Sequence, residues 1–154
     1  PGSRHTFETF LENLKKIEEP RILIENMAGF DIFKHHMYGR MFEELQPIAR
    51  IKPICFDFEK AVKSARFQKV DYKDFILKCV SKFKPKYFHI SGGDKNSPVD
   101  EHKDLMGVNF EVAWIRELLK SISKKEDVHL VFETAKKDGN LKNDVANLEY
   151  FKNI

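Results

Sequence analysis

Four short apolar runs separated by helix-type patterns constrain the fold of this chain more than any other feature. The runs read RILIE, PICFD, KYFHI and VHLVFE, and each has the length and apolar character of a β-strand. A leading helix is predicted behind Thr6, a good N-cap residue, and Pro20 ends that pattern. Further helices are predicted from Tyr38 to Leu45 (with Pro47 disturbing its end), after Asp71, after a cap at Asn109, and from Leu141 to Lys152.

This alternation predicts an α/β fold. Strands that alternate with helices form a parallel sheet with right-handed crossovers, and nearly continuous apolar strands indicate burial on both faces of that sheet. Four strand–helix units behind a leading helix correspond to half of an eight-fold (β/α) barrel. A small open sheet is the alternative, and the alternation does not decide between the two.

Composition limits the class of protein. A chain of 154 residues, 42% of them apolar, suits one domain or part of a larger one. No apolar run approaches the roughly 20 residues of a membrane helix, and no secretory signal pattern opens the chain. Cys55 and Cys79 lie in apolar patterns, which predicts buried thiols and a cytoplasmic protein. The net charge of +3 is compatible with phosphate-bearing partners.

Each predicted strand finishes on a residue type that binds divalent metals. These residues are Glu25, Asp57, His89 and Glu133, called the quartet below. Because parallel strands place their carboxyl ends on one side of a sheet, the four side chains are expected to converge. An acidic residue at one strand end is usually a cap or loop residue, but three clustered carboxylates would repel one another without a cation. The quartet therefore predicts a site for Zn, Mn, Mg or Fe(II).

The loop after the third strand contains a second candidate pair, in the sequence VDEH. Alternate residues of an extended segment point the same way, so Asp100 and His102 are able to act together as ligands. A solvated loop is the alternative. His129 is predicted to have a core or interface role, and His35 and His36 are predicted to lie on the surface near the site.

Five short motifs carry a family resemblance. IENMAG, CFDFEK, FHIS, VDEHKDLMG and FET, in this order, resemble the C-terminal half of the endonuclease IV and xylose-isomerase-like TIM barrels. The opening PGS also resembles the family segment that follows a metal-binding histidine. The resemblance implies that residues 1–154 form half of one TIM-barrel domain. The other half is then absent or comes from a second chain, from self-association or from a longer parent polypeptide.

The resemblance also implies roles for the candidate residues. The quartet would be the shared metal site, and in the isomerase branch Glu25 and Glu133 would also move substrate protons. Asp100 and His102 would hold a further zinc, as in the endonuclease branch, where three metals polarise a phosphodiester and supply a hydroxide. Zinc is the metal expected first, with Mn or Mg as alternatives.

Lys60 departs from the endonuclease pattern, which has a histidine at this position. A protonated amine cannot bind a metal, so Lys60 would instead contact a phosphate or lie on the surface. Lys60 and Asn26 are the candidate substrate-binding residues. The leading hypothesis that the resemblance implies is a metal-dependent phosphodiesterase acting on abasic sites in DNA. A sugar or sugar-phosphate isomerase or epimerase is the second hypothesis, and a non-catalytic half-barrel fragment or subunit is the third.

Overall fold

The computed structural model describes residues 6–31, 33, 35–136, 139 and 141–154. Within these residues four strands form one sheet, whose order follows the chain and whose neighbouring strands are all parallel. The strands are β1 (Ile24–Glu25), β2 (Ile54–Asp57), β3 (Tyr87–Ile90) and β4 (His129–Phe132). The predicted α/β class with a parallel sheet is confirmed. The opening PGS segment lies outside the described residues.

The described residues also form six α-helices. They are α1 (Phe7–Lys15), α2 (Phe42–Ala49), α3 (Phe58–Gln68), α4 (Tyr72–Phe83), α5 (Val112–Ser123) and α6 (Lys142–Asn153). In this part of the chain, none of the helices has both the length and the apolar character needed to cross a bilayer.

Side-chain hydrogen bonds to the backbone determine where the first two helices begin. The Thr6 side chain accepts the backbone N–H of Thr9, so the predicted N-cap of α1 is confirmed. The second helix begins at Phe42, later than predicted, because the Glu44 carboxylate accepts the backbone N–H groups of Gly39 and Arg40 and holds them in a turn. Pro47 lies inside α2 rather than at its end. The helix tolerates it because the missing N–H of proline removes only one hydrogen bond of this short helix.

Helix α3 is absent from the sequence prediction. It follows β2 without a loop, and the Asp57 side chain caps it by accepting the N–H of Lys60 at 2.8 Å. Residues 58–65 are all buried, including Glu59, Lys60 and Lys63. A surface helix is recognised in a sequence by an apolar stripe with charges on the opposite face. Because α3 also has charged residues on its buried face, the sequence does not show this pattern.

The predicted cap at Asn109 is wrong. Helix α5 begins at Val112 with Glu111 at its N-cap position. The Asn109 side chain instead accepts the backbone N–H of Lys95 and donates to the Asp94 carboxylate at 2.7 Å. The residue therefore ties together two parts of the loop after β3.

The core lies between the helices and one face of the sheet. Phe56, Phe58 and Phe88 are fully buried there, and the rings of Phe58 and Phe88 stack at 5.5 Å. Burial on both faces is confirmed for β2 but is wrong for β4, where the residues alternate between exposed and half-buried. Tyr87 of β3 and His129 of β4 stack at 4.7 Å on the uncovered face, and both are exposed. His129 therefore has no core role within this chain.

Both cysteines are buried and free, as predicted. Cys55 lies in β2 with 5% of its surface exposed, and Cys79 lies in α4 with none exposed.

Candidate metal centre

The quartet converges at the carboxyl ends of the four strands. One ligand atom from each of its residues lies within 4.8 Å of the others. The parallel register produces this convergence, since Asp57 of β2 stands directly beside His89 of β3. The predicted meeting of four residues that are far apart in sequence is confirmed. Their role as metal ligands stays a prediction.

His89 lies between the two glutamates of the quartet. Its Nδ1 atom is 2.7 Å from Glu25 Oε1 and 3.1 Å from Glu133 Oε1. Contact with the Cys55 sulfur, followed by the hydrogen bond to Glu25, raises the pKa of His89 to about 10. Burial tends to raise the pKa of Glu25, but its bonds to His89 and Lys60 outweigh burial and lower it. A metal bound by Nδ1 would displace this proton, so metal binding at this site would release protons.

Asp57 supplies the most deeply buried carboxylate of the site. None of its surface is exposed, and burial raises its pKa to about 7 even though the charge of Lys60 opposes the shift. Its Oδ1 atom caps α3, whereas Oδ2 is buried without a hydrogen-bond partner among the described residues. Glu133 Oε2 is buried and unpartnered in the same way. Free carboxylate oxygens beside an imidazole nitrogen fit a borderline or hard divalent cation.

Lys60 extends its ammonium group into the acidic cluster. Its Nζ atom is 2.7 Å from Glu25, 3.5 Å from Asp100, and 3.8 Å from both Asp57 and Glu133. Only 4% of the residue is exposed. Burial disfavours the charged form, but the surrounding carboxylates of Asp57, Glu25 and Asp100 outweigh burial and raise the pKa of Lys60. The lysine is therefore a charged part of the site and partly offsets the repulsion of its acids. Its predicted contact with substrate stays a prediction.

The Asp100–His102 pair lies beside the quartet, as the pattern VDEH suggested. His102 Nε2 is 2.9 Å from Asp100 Oδ2, and His102 Nδ1 is 2.9 Å from the backbone oxygen of Glu133. His102 has a left-handed backbone with φ of +48°, a conformation that residues other than glycine rarely adopt. The backbone oxygen of His102 accepts the N–H of Ala135, which helps to hold this conformation.

A second layer of charged residues supports that loop, and the sequence reasoning missed it. Lys63 of α3 pairs with Glu59 at 2.6 Å and with Glu101 at 2.8 Å, and it donates to the backbone oxygen of Val99. Burial, followed by contact with Asp100, raises the pKa of Glu59 to about 8, although Lys63 opposes the shift. The spacing of four residues between Glu59 and Lys63 is the signal that could have revealed the pair.

Asn26 holds β1 and β2 together at the site. Its buried side chain donates to the Asp57 backbone oxygen at 3.0 Å and accepts the Asp57 backbone N–H at 2.7 Å. The amide therefore positions Asp57, and its predicted contact with substrate stays a prediction. His35 and His36 lie in the loop after β1, where His35 pairs with Asp31 and His36 contacts Arg40.

A small cavity opens beside Asp100. Its volume is about 200 Å³, and it is lined by Met27, Ala28, Phe30, Asp31, Met37, Val99 and Asp100. An isolated bridge between Phe30 and Val99 joins the two loops that form it. The cavity has mostly apolar walls and one of the candidate ligands at its edge.

Comparison of the chain with protein-family models, with curated proteins and with solved structures found no match. The resemblance to the endonuclease IV and xylose-isomerase-like barrels therefore depends on the motifs and stays a prediction.

Proposed function

We propose that this chain is the C-terminal half of a TIM barrel of the endonuclease IV and xylose-isomerase-like superfamily. We further propose that it is a divalent-metal-dependent phosphodiesterase that acts on abasic sites in DNA. The observation that carries this proposal is the meeting of the quartet with the Asp100–His102 pair at one edge of a parallel sheet. Zinc is the proposed metal, with Mn or Mg as alternatives.

Three features support the half-barrel. The strands are all parallel and follow the chain in order, as the strands of a (β/α) barrel do. Among the described residues, β1 and β4 each have only one neighbouring strand. The sheet face that would line a barrel carries the exposed Tyr87 and Val131. A second half-barrel chain, a second copy of this chain or a longer parent polypeptide would supply the remaining strands.

The residues have distinct tasks in the proposed mechanism. The quartet would hold the metal, which when bound would polarise a phosphodiester and lower the pKa of a bound water. Glu25 and Glu133 are partly exposed, with 25% and 29% of their side chains accessible, so they can exchange protons with a substrate or with water. The mostly apolar cavity beside Asp100 suits the uncharged part of a nucleotide better than a sugar with many hydroxyl groups, because its walls offer few polar partners.

One observation favours a different activity. Lys60 fills part of the region where a three-metal enzyme needs ligands, and a site with fewer metals suits the sugar or sugar-phosphate isomerases and epimerases. In that reaction Glu25 and Glu133 would move a proton between two carbons of the substrate. A non-catalytic subunit is the remaining alternative.

Activity assays on the full chain in its native assembly distinguish these functions. The protein is freed of metal with a chelator, zinc is restored, and cleavage of a duplex with one abasic site is compared with isomerisation of aldose phosphates. Glu133→Gln should abolish the metal-dependent activity, whereas Glu149→Gln, a change at an exposed glutamate of α6, should not. Zinc-dependent isomerisation without DNA cleavage would select the isomerase, and no metal-dependent reaction would favour the inactive subunit.

A further inference from the structure

Glu25 and Glu133 each divide their two oxygens between two cationic groups. The Oε1 atoms of both face His89 Nδ1, at 2.7 and 3.1 Å. The Oε2 atoms of both face Lys60 Nζ, at 2.7 and 3.8 Å. Carboxylates that share their oxygens in this way define two neighbouring cation positions, one on the His89 side and one on the Lys60 side.

The Lys60 side has the donors of a metal position. Besides the two Oε2 atoms, Asp57 Oδ2 lies 3.8 Å from Nζ and Asp100 Oδ2 lies 3.5 Å from it. Asp57 Oδ2 is an independent sign of a missing partner, since Asp57 is fully buried and this oxygen accepts no hydrogen bond among the described residues. Four carboxylates around one point exceed what a single ammonium charge can balance.

The backbone holds Lys60 in this place. Its N–H is bound to Asp57 Oδ1 in the first turn of α3, so the chain segment that carries the ammonium is fixed relative to the quartet. Only 4% of Lys60 is exposed, and hence the ammonium has little access to solvent.

We propose that the Lys60 ammonium occupies a second metal position, so that the site binds one divalent ion, on the His89 side. The inference rests on the proposed metal dependence, which both candidate activities share, and adds the number of ions to it. A single ion favours the isomerase or epimerase alternative over a three-metal nuclease. A fixed ammonium balances charge, but it cannot bind and activate a water as a second metal would. The chemistry of the site would therefore depend on one ion together with the glutamates.

Removal of the ammonium tests the inference. The wild-type chain, Lys60→Ala and Lys60→His are each saturated with Mn²⁺ or Zn²⁺, dialysed, and analysed for metal content by mass spectrometry. Electron paramagnetic resonance of the Mn²⁺ samples reports whether two ions are magnetically coupled. We expect one ion per chain in the wild type and two coupled ions in both variants. Circular dichroism checks that the variants are folded, and Lys60→His provides a second test if Lys60→Ala does not fold.

Lys63→Ala is the matched control. Lys63 is the next buried lysine of α3 and also pairs with two carboxylates, those of Glu59 and Glu101. Its removal should leave the metal content at one ion if the effect belongs to the Lys60 position. A second ion in Lys63→Ala as well would overturn the assignment of that position to Lys60.

The remaining outcomes separate the inference from the proposed function. One ion in the wild type and one in each folded Lys60 variant would overturn the inference and leave the proposed metal dependence standing. No ion in the wild type but one in Lys60→Ala would overturn the metal-dependent function, yet it would support Lys60 as the occupant of a cation position. No ion in any of these proteins would overturn both.

Discussion

Replacement of Asn26 by alanine removes the side chain that joins β1 to β2 beneath the site. Asn26 is 1% exposed and makes two hydrogen bonds to the Asp57 backbone, one to its oxygen and one from its N–H. The variant would leave the buried Asp57 N–H without an acceptor, at about 1–3 kcal/mol. It would also remove one of the donors to the Asp57 oxygen, at about 0.5–1.5 kcal/mol, although that oxygen keeps its bond within α3. We therefore expect Asn26→Ala to lower the free energy of unfolding by roughly 1.5–4.5 kcal/mol.

Urea unfolding followed by circular dichroism measures this loss. Wild type and variants are compared at one protein concentration, because self-association would make stability depend on concentration. Asn109→Ala is the matched control, since Asn109 also makes two hydrogen bonds but is exposed, and it should cost no more than about 1 kcal/mol. A loss of unfolding free energy in Asn26→Ala no larger than that in Asn109→Ala would refute this expectation, provided that the slope of the free energy against urea concentration is unchanged.

Two further predictions concern pH and the loop after β3. Because the folded state raises the pKa of His89 to about 10, the metal-free chain gains stability from this group below pH about 6.5 and loses it as pH rises toward 10. Urea unfolding should therefore show that the free energy of unfolding falls less between pH 6.5 and pH 9 in His89→Gln than in wild type. An equal fall in both proteins would contradict the ion pair. Gly92→Ala should destabilise the chain by more than about 3 kcal/mol, because its Cβ would lie 1.8 Å from the Asp104 backbone oxygen. Gly107→Ala, where φ is +80° and nothing lies within 4 Å, should cost only about 1–2 kcal/mol in thermal or urea unfolding; similar losses for both variants would show that the loop relaxes at Gly92.

The sequence predicted the parallel sheet and the convergence of the quartet for one physical reason. Residues that end parallel strands must share one side of the sheet, however far apart they lie along the chain. No distance or contact is needed for that step, so Asp57 and His89 could be placed on one side of the sheet before the strand order and register were known.

Helix α3 and the contacts of Lys60 required the structure. A helix is predicted from a sequence when its apolar residues share one face and its charged residues share the solvent face. Glu59, Lys60 and Lys63 break this pattern because they are charged and buried. Their partners come from other elements, such as Glu25 of β1 and Glu101 of the loop after β3. Pairings of this kind between distant residues leave no periodic signal, and so the sequence suggested a phosphate contact for Lys60 and gave no sign of its carboxylate partners.

The metal site itself is the central claim, and anomalous diffraction at the zinc absorption edge tests it most directly. Crystals of the chain grown with zinc should show a peak bonded to the quartet, with zinc–ligand distances of about 2.0–2.2 Å. Such a peak would require His89 Nδ1 to give up its contacts with Glu25 and Glu133. Contradiction would come from fully saturated crystals that show no zinc at the quartet, with His89 and Lys60 still paired to the two glutamates.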